Sequence, residues 1–186
     1  MITFNEFYRY CEDKTIVIVG NSRKLIKNPL GEFIDSHEIV LRMNHGVPHE
    51  RYWRYVGKKT HIWAVAFRDT ITQAEIYPLY KPRYVLWLTI DKSHIHPDLL
   101  EDMYIADDNF YRGVQEKING ERPSLGCMAV HFFINEIKYK KLDVVGFDFF
   151  KSPDYFRSKI CKDIHNPDEE EKYITSLCKE KGVEIL

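Results

Sequence analysis

Cysteine is scarce, at four residues in 186, and no two of Cys11, Cys127, Cys161 and Cys178 form a C-x-x-C pair. That spacing speaks against a structural zinc site and for free thiols in a reducing compartment. No run of about 18 apolar residues occurs, so no transmembrane helix is expected. The first residues, MITFNEFYR, lack the apolar stretch and cleavage site of a signal peptide. Neither sign of charge dominates: 27 Lys and Arg stand against 28 Asp and Glu, a net charge of −1. This excludes the electrostatic footprint of a nucleic-acid binder. Internal repeats and low-complexity tracts are also missing. The expectation is a cytoplasmic protein of one domain, residues 1–186, with no nucleic-acid partner.

What is present suits a packed core: 44% hydrophobic residues, 14% aromatic and 30% charged. Thr15-Ile16-Val17-Ile18-Val19 is a β-branched run without alternation, the mark of a strand buried on both faces. Further strands are expected at 38–43, 61–66, 84–88, 142–147 and 183–186. Residues 1–13 read as a short amphipathic helix. Ser124 is placed to cap an almost wholly apolar helix running to about Lys138. Asn166-Pro167-Asp168-Glu169 combines a cap, a first-position proline and first-turn acids, and Gly182 ends the helix it starts. Alternating strands and helices predict an α/β doubly wound, Rossmann-like, mostly parallel sheet flanked by helices. Residues 68–122, rich in Tyr, Asp, Pro and His, read as a less regular insertion beside the site.

Ligands of such sheets bind at the carboxyl ends of the strands. That rule selects Gly20-Asn21-Ser22, Asn44, the turn at Ser124 and the segment after Phe147. Ser22 and Leu25 replace the second and third glycines of G-x-G-x-x-G, which excludes a dinucleotide fingerprint. Each remaining signal has a plain alternative. Gly20-Asn21-Ser22 and Asn44-His45-Gly46 serve as turns, and Ser124 serves as a cap. The helix at Ser124-Leu125-Gly126 also offers free N–H groups and a positive dipole end to a phosphate. His165, with Glu170 five residues on, is either a surface pair or an imidazole oriented by a carboxylate, the pattern of a general base.

Taken in order, these stretches resemble the eukaryotic-type sialyltransferases, glycosyltransferase family 29. Residues 16–46 are similar to the family's motif L, through Val19-Gly20-Asn21-Ser22, Ile34-Asp35-Ser36-His37 and Arg42-Met43-Asn44. Val56-Gly57-Lys58-Lys59-Thr60-His61 resembles the segment after it. Residues 123–147 resemble motif S, Asp154-Tyr155-Phe156 sits where motif III is expected, and His165 with Glu170 matches the H-x4-E of motif VS.

The resemblance implies a GT-A-like sialyltransferase variant: an inverting, metal-independent enzyme with no cofactor. It would move sialic acid from CMP-sialic acid to a hydroxyl of an acceptor glycan, galactose-terminated by expectation. It assigns His165 and Glu170 to catalysis. It assigns Gly20, Asn21, Ser22, Asn44, Ser124, Leu125, Gly126 and Tyr155 to the donor. Acceptor specificity falls to residues 68–122 and 148–164. The family's disulfide positions hold Ile16 and Ile137, consistent with a cytosolic bacterial or viral form. Leu125 stands for the threonine of motif S, and Asp154 for the histidine that opens motif III. Transfer of another CMP-linked sugar such as Kdo, or a CMP- or glycan-binding module without catalysis, are the competing readings. The basic segment Arg51–Lys59 is either a solvated face or a contact for an anionic acceptor or a membrane surface.

Overall fold

The computed structural model describes residues 1–156 and 164–186. Cys161 and part of the expected acceptor segment 148–164 lie outside the described residues. Among the described residues, seven parallel strands form one sheet: β1 (Thr15–Val19), β2 (Ile39–Met43), β3 (Ile62–Ala64), β4 (Tyr84–Trp87), β5 (Met103–Ile105), β6 (Lys141–Val145) and β7 (Glu184–Ile185). Their order is β5-β4-β3-β2-β1-β6-β7. The chain winds outward from β1 to one edge, then returns to the other side of β1. The doubly wound α/β expectation is met, and the switch point falls between β1 and β6.

The helices are α1 (Phe4–Cys11), α2 (Gly31–Asp35), α3 (Trp53–Val56), α4 (Thr70–Tyr80), α5 (Asp108–Lys117), α6 (Leu125–Glu136) and α7 (Pro167–Lys181). Successive strand residues serve opposite faces. Ile16, Ile18, Leu41 and Val144 join Phe7, Val114, Phe132, Phe133 and Ile174 in one cluster, which places α1, α5, α6 and α7 on that face. Val17, Val19, Val40 and Val145 pack with Ile34 and Val56 on the other. Trp63, Val85 and Trp87 pack there with Ile76 and Tyr80 of α4. Ile16 and Ile137, at the family's disulfide positions, both lie in the first cluster. Cys11, Cys127 and Cys178 are buried free thiols.

The predicted helix starts hold. Ser124 Oγ accepts the Cys127 N–H at 3.1 Å, and Asn166 caps α7 through the Glu169 N–H at 3.3 Å. Gly182 closes α7 in the left-handed region, at φ +68°.

Residues 68–122 depart from expectation. They are regular, holding α4, β4, β5 and α5. α4 escapes a periodicity search because TITQAEIYPLY carries β-branched residues and an internal proline, Pro78. Its start is nonetheless sound: Asp69 accepts the N–H groups of Ile71 and Thr72. α5 is capped by Asp107 and carries Gly113 in its interior. This segment completes the β5 edge of the sheet.

Candidate active site

A cavity of about 580 Å³ opens over the carboxyl ends of β1, β2 and β6, beneath the first turns of α6 and α7. Gly20, Asn21, Ser22, Asn44, Ser124, Leu125, Gly126, His165 and Glu170 all line it, nine of the ten residues selected from sequence. The tenth, Tyr155, does not. No described lining residue comes from 68–122, so the expected insertion beside the site belongs to the sheet edge instead.

Gly20 is required by main-chain proximity. A Cβ there would sit 2.3 Å from the Gly146 carbonyl oxygen. The same oxygen accepts the Ser22 N–H at 3.0 Å, and the Gly20 N–H donates to Val145 O at 2.7 Å. The ladder between β1 and β6 thus continues past the strand ends and forms the cavity floor.

The two serines expected to donate to a ligand are already engaged. Ser124 donates its main-chain N–H to Glu170 Oε1 at 2.6 Å and its hydroxyl to Oε2 at 2.5 Å. Glu170 is therefore not the partner of His165 that the spacing suggested. It reaches from the first turn of α7 to fix the cap of α6. Burial pushes its carboxyl upward, partly opposed by the two bonds from Ser124. Ser152 Oγ donates to Asp148 Oδ2 at 2.5 Å, and Ser22 Oγ lies 3.2 Å from Ser152 Oγ. With the Ser152 hydrogen spent on the carboxylate, Ser22 donates to Ser152. What stays open at α6 is main chain, because Leu125 and Gly126 occupy the first two helical positions and have no intrahelical acceptor for their N–H groups.

His165 Nδ1 donates to the Arg122 carbonyl oxygen at 3.0 Å, and the ring stacks on Phe150 with centroids 5.5 Å apart. A proton held at Nδ1 leaves Nε2 as the basic nitrogen. Desolvation first, and the Arg122 charge as well, hold the imidazole below its ordinary range, against the opposing effect of the carbonyl bond. The ring is neutral near pH 7 and able to take a proton.

Asn44 adopts a left-handed backbone, φ 48°. Its Oδ1 accepts the Ala66 N–H at 3.0 Å, which leaves Nδ2 as the donor toward the cavity. Asn21 Nδ2 donates to Met43 O at 3.3 Å. Tyr155 corrects the sequence reading. It is 4% exposed, and its hydroxyl donates to Gly46 O at 3.1 Å. Burial raises that hydroxyl to about 12. Tyr155 thus holds the turn behind Asn44, with its hydroxyl hydrogen committed to a carbonyl oxygen. Tyr155→Phe should cost about 1 kcal/mol, the price of one lost hydrogen bond. Denaturant unfolding of the variant beside the native protein checks this, and an unchanged stability would show that the bond to Gly46 O holds nothing.

The most distinctive sequence signals turn out to build the frame. Asp35 accepts the N–H groups of Lys58 and Lys59 at 2.9 and 3.0 Å. His37 Nε2 lies 2.8 Å from Asp143 Oδ2 and Nδ1 lies 2.9 Å from Phe33 O, tying the end of α2 to β6. Arg42 is 1% exposed and donates to the carbonyl oxygens of Val56 and Lys59. Lys58 and Arg51 lie over the rings of Trp53 and Tyr52.

In the segment after Phe147, sequence reasoning named only Asp154, Tyr155 and Phe156, of which Asp154 and Phe156 line the cavity. The structure supplies Asp148, Phe149, Phe150 and Ser152, and adds His45, which stacks on Phe67 at 4.3 Å. Among the described residues, no three of His, Cys, Asp and Glu come together to hold a metal ion. No described helix is long and apolar enough to cross a membrane.

The sequence profile of glycosyltransferase family 29 (sialyltransferase) matches residues 10–85. Over residues 10–85 the chain is therefore similar to family 29. Sialyltransferase-like protein 1 of Arabidopsis thaliana is 50% identical to the chain over 42 residues, 23% of this chain and 9% of that protein. Beta-1,6-galactosyltransferase GALT29A of Arabidopsis thaliana is 47% identical over 45 residues, 24% and 11% of the two chains. The matches thus span about a tenth of these relatives' length. A mammalian sialyltransferase solved with Gal-beta-1-3GalNAc-ortho-nitrophenol superposes with a TM-score of 0.69 at 21% identity. That overlay covers 95% of this chain and 69% of the other. The matched segment holds β1 to β3, the first two residues of β4, and Gly20, Asn21, Ser22 and Asn44. Ser124, His165 and Glu170 lie beyond it, within a fold shared with the mammalian structures.

Proposed function

We propose that the chain is an inverting glycosyltransferase that moves sialic acid from CMP-sialic acid to a hydroxyl of a galactose-terminated glycan, without a metal. The observation that carries this is the pairing across one cavity of a neutral imidazole with an open helix start. His165 Nε2 removes the acceptor hydroxyl proton as that oxygen attacks the anomeric carbon. The bond from that carbon to the CMP phosphate oxygen breaks, and CMP leaves with the electron pair. The Leu125 and Gly126 N–H groups and the α6 dipole meet the charge developing on the phosphate. Asn21, Ser22 and Asn44 border the nucleotide.

The similarity of residues 10–85 to family 29, the relatives' names and the shared fold support the reading. The test is CMP release from CMP-sialic acid with a galactoside present or absent and a chelator included. Acceptor-dependent release that resists the chelator is expected. Release without acceptor dependence would mean donor hydrolysis. CMP binding without any release would move weight to a CMP-linked sugar such as Kdo, or to a binding module. The similarity to a galactosyltransferase favours a second reading, in which the transferred sugar is galactose. Nucleotide release from a nucleotide-activated galactose, offered in place of CMP-sialic acid and dependent on the acceptor, would establish it.

A further inference from the structure

Phe149 and Phe150 follow one another at φ 53° and 58°. The left-handed region is disfavoured for bulky residues and costs about 1–2 kcal/mol each. Two in succession, at the rim of a ligand cavity, need something that holds them there. Phe149 is anchored by packing against the main core cluster. Phe150 lines the cavity and lays its ring on His165, with planes 21° apart. His165 has one other described restraint, the bond from Nδ1 to Arg122 O, which sets the tautomer but leaves the ring free to pivot about it. The stacked phenyl ring removes that freedom.

We infer that Phe150 is a positioning residue, held in a strained backbone so that its ring fixes the plane of the His165 imidazole and shields it from water. This rests on the reading of His165 as the proton acceptor. A strained ring kept only for packing would stabilise the protein. A strained ring kept for His165 would not. Glycine accepts φ 58° freely, so the two roles separate in one variant.

Phe150→Gly should keep or raise the melting temperature. It should lower kcat of CMP release by about 10- to 100-fold, as expected for a misplaced base, with the donor KM little changed. Phe150→Tyr should restore kcat. The His165 Cε1–H resonance, assigned by its loss in His165→Ala, should titrate below the ordinary value of 6.5 in the native protein. It should move toward that value in Phe150→Gly. The titration needs no catalysis, so it judges Phe150 even if CMP-sialic acid is not the donor. Absent CMP release by the native protein refutes the donor reading alone. A melting temperature lowered in Phe150→Gly, with the His165 titration unmoved, overturns the positioning role. Should the glycine variant unfold, Phe150→Asn, which also tolerates the left-handed region, decides by the same titration.

Discussion

His165→Ala should lower acceptor-dependent CMP release by about 10²–10⁴-fold, the usual worth of a general base, while CMP binding is retained. The separation follows from geometry. The groups offered to the phosphate sit on the first turn of α6, whereas His165 precedes α7 and is tied to the Arg122 carbonyl. The pH profile carries the same information. Desolvation and the Arg122 charge lower the imidazole from 6.5, so protonation removes the base only below that pH. The acid limb of kcat in the native protein should therefore fall below pH 6.5, and His165→Ala should abolish it. A limb at or above pH 6.5 would mean that another group takes the proton. Full release in the variant would remove His165 from the chemistry.

Gly20→Ala should cost about 3 kcal/mol or more, at the severe end for overpacking. The added methyl carbon would stand 2.3 Å from Gly146 O and 2.8 Å from Gly146 C. Both are main-chain atoms, which no rotamer change can move aside. Relief requires β1 and β6 to separate at the cavity floor, breaking the bonds from Gly20 N and Ser22 N. Gly113→Ala is the matched control. Nothing lies within 4 Å of its Cβ position, it is inside α5, and alanine there should add about 0.5–1 kcal/mol by helix propensity. Denaturant unfolding of the two variants checks the contrast. An equal, small effect for both would show that the β1–β6 approach is slack.

The elements legible in sequence are those whose cause is local. A β-branched run makes β1, and a cap, a proline and three acids make the start of α7. α4 and β5 were not legible, because one carries Pro78 inside a helix and the other is three residues long. The site divides in the same way. Strand ends and helix starts place Gly20, Asn44, Ser124 and His165 at the cavity without knowledge of any contact. Which hydrogen bond each residue makes depends on partners far along the chain. Ser22 meets Ser152 across 130 positions, and Tyr155 meets Gly46 across 109. Hence Glu170 was assigned to the imidazole five residues away, although its carboxylate belongs to a serine 46 positions distant. Asp35, His37 and Arg42 stood out as a pattern, yet their role as scaffold emerges only from tertiary contacts.

The open groups at the start of α6 belong to the peptide chain itself. Every residue except proline carries the same N–H, whatever its side chain. Leucine at 125 in place of a hydroxyl residue therefore leaves these two donors untouched. A recognition element of this kind is insensitive to most substitution at its own positions. It is lost at a distance, when Glu170 no longer holds Ser124 and the first turn of the helix frays. Sequence drift in such a protein is better tolerated at position 125, beside the ligand, than at Ser124 and Glu170 behind it.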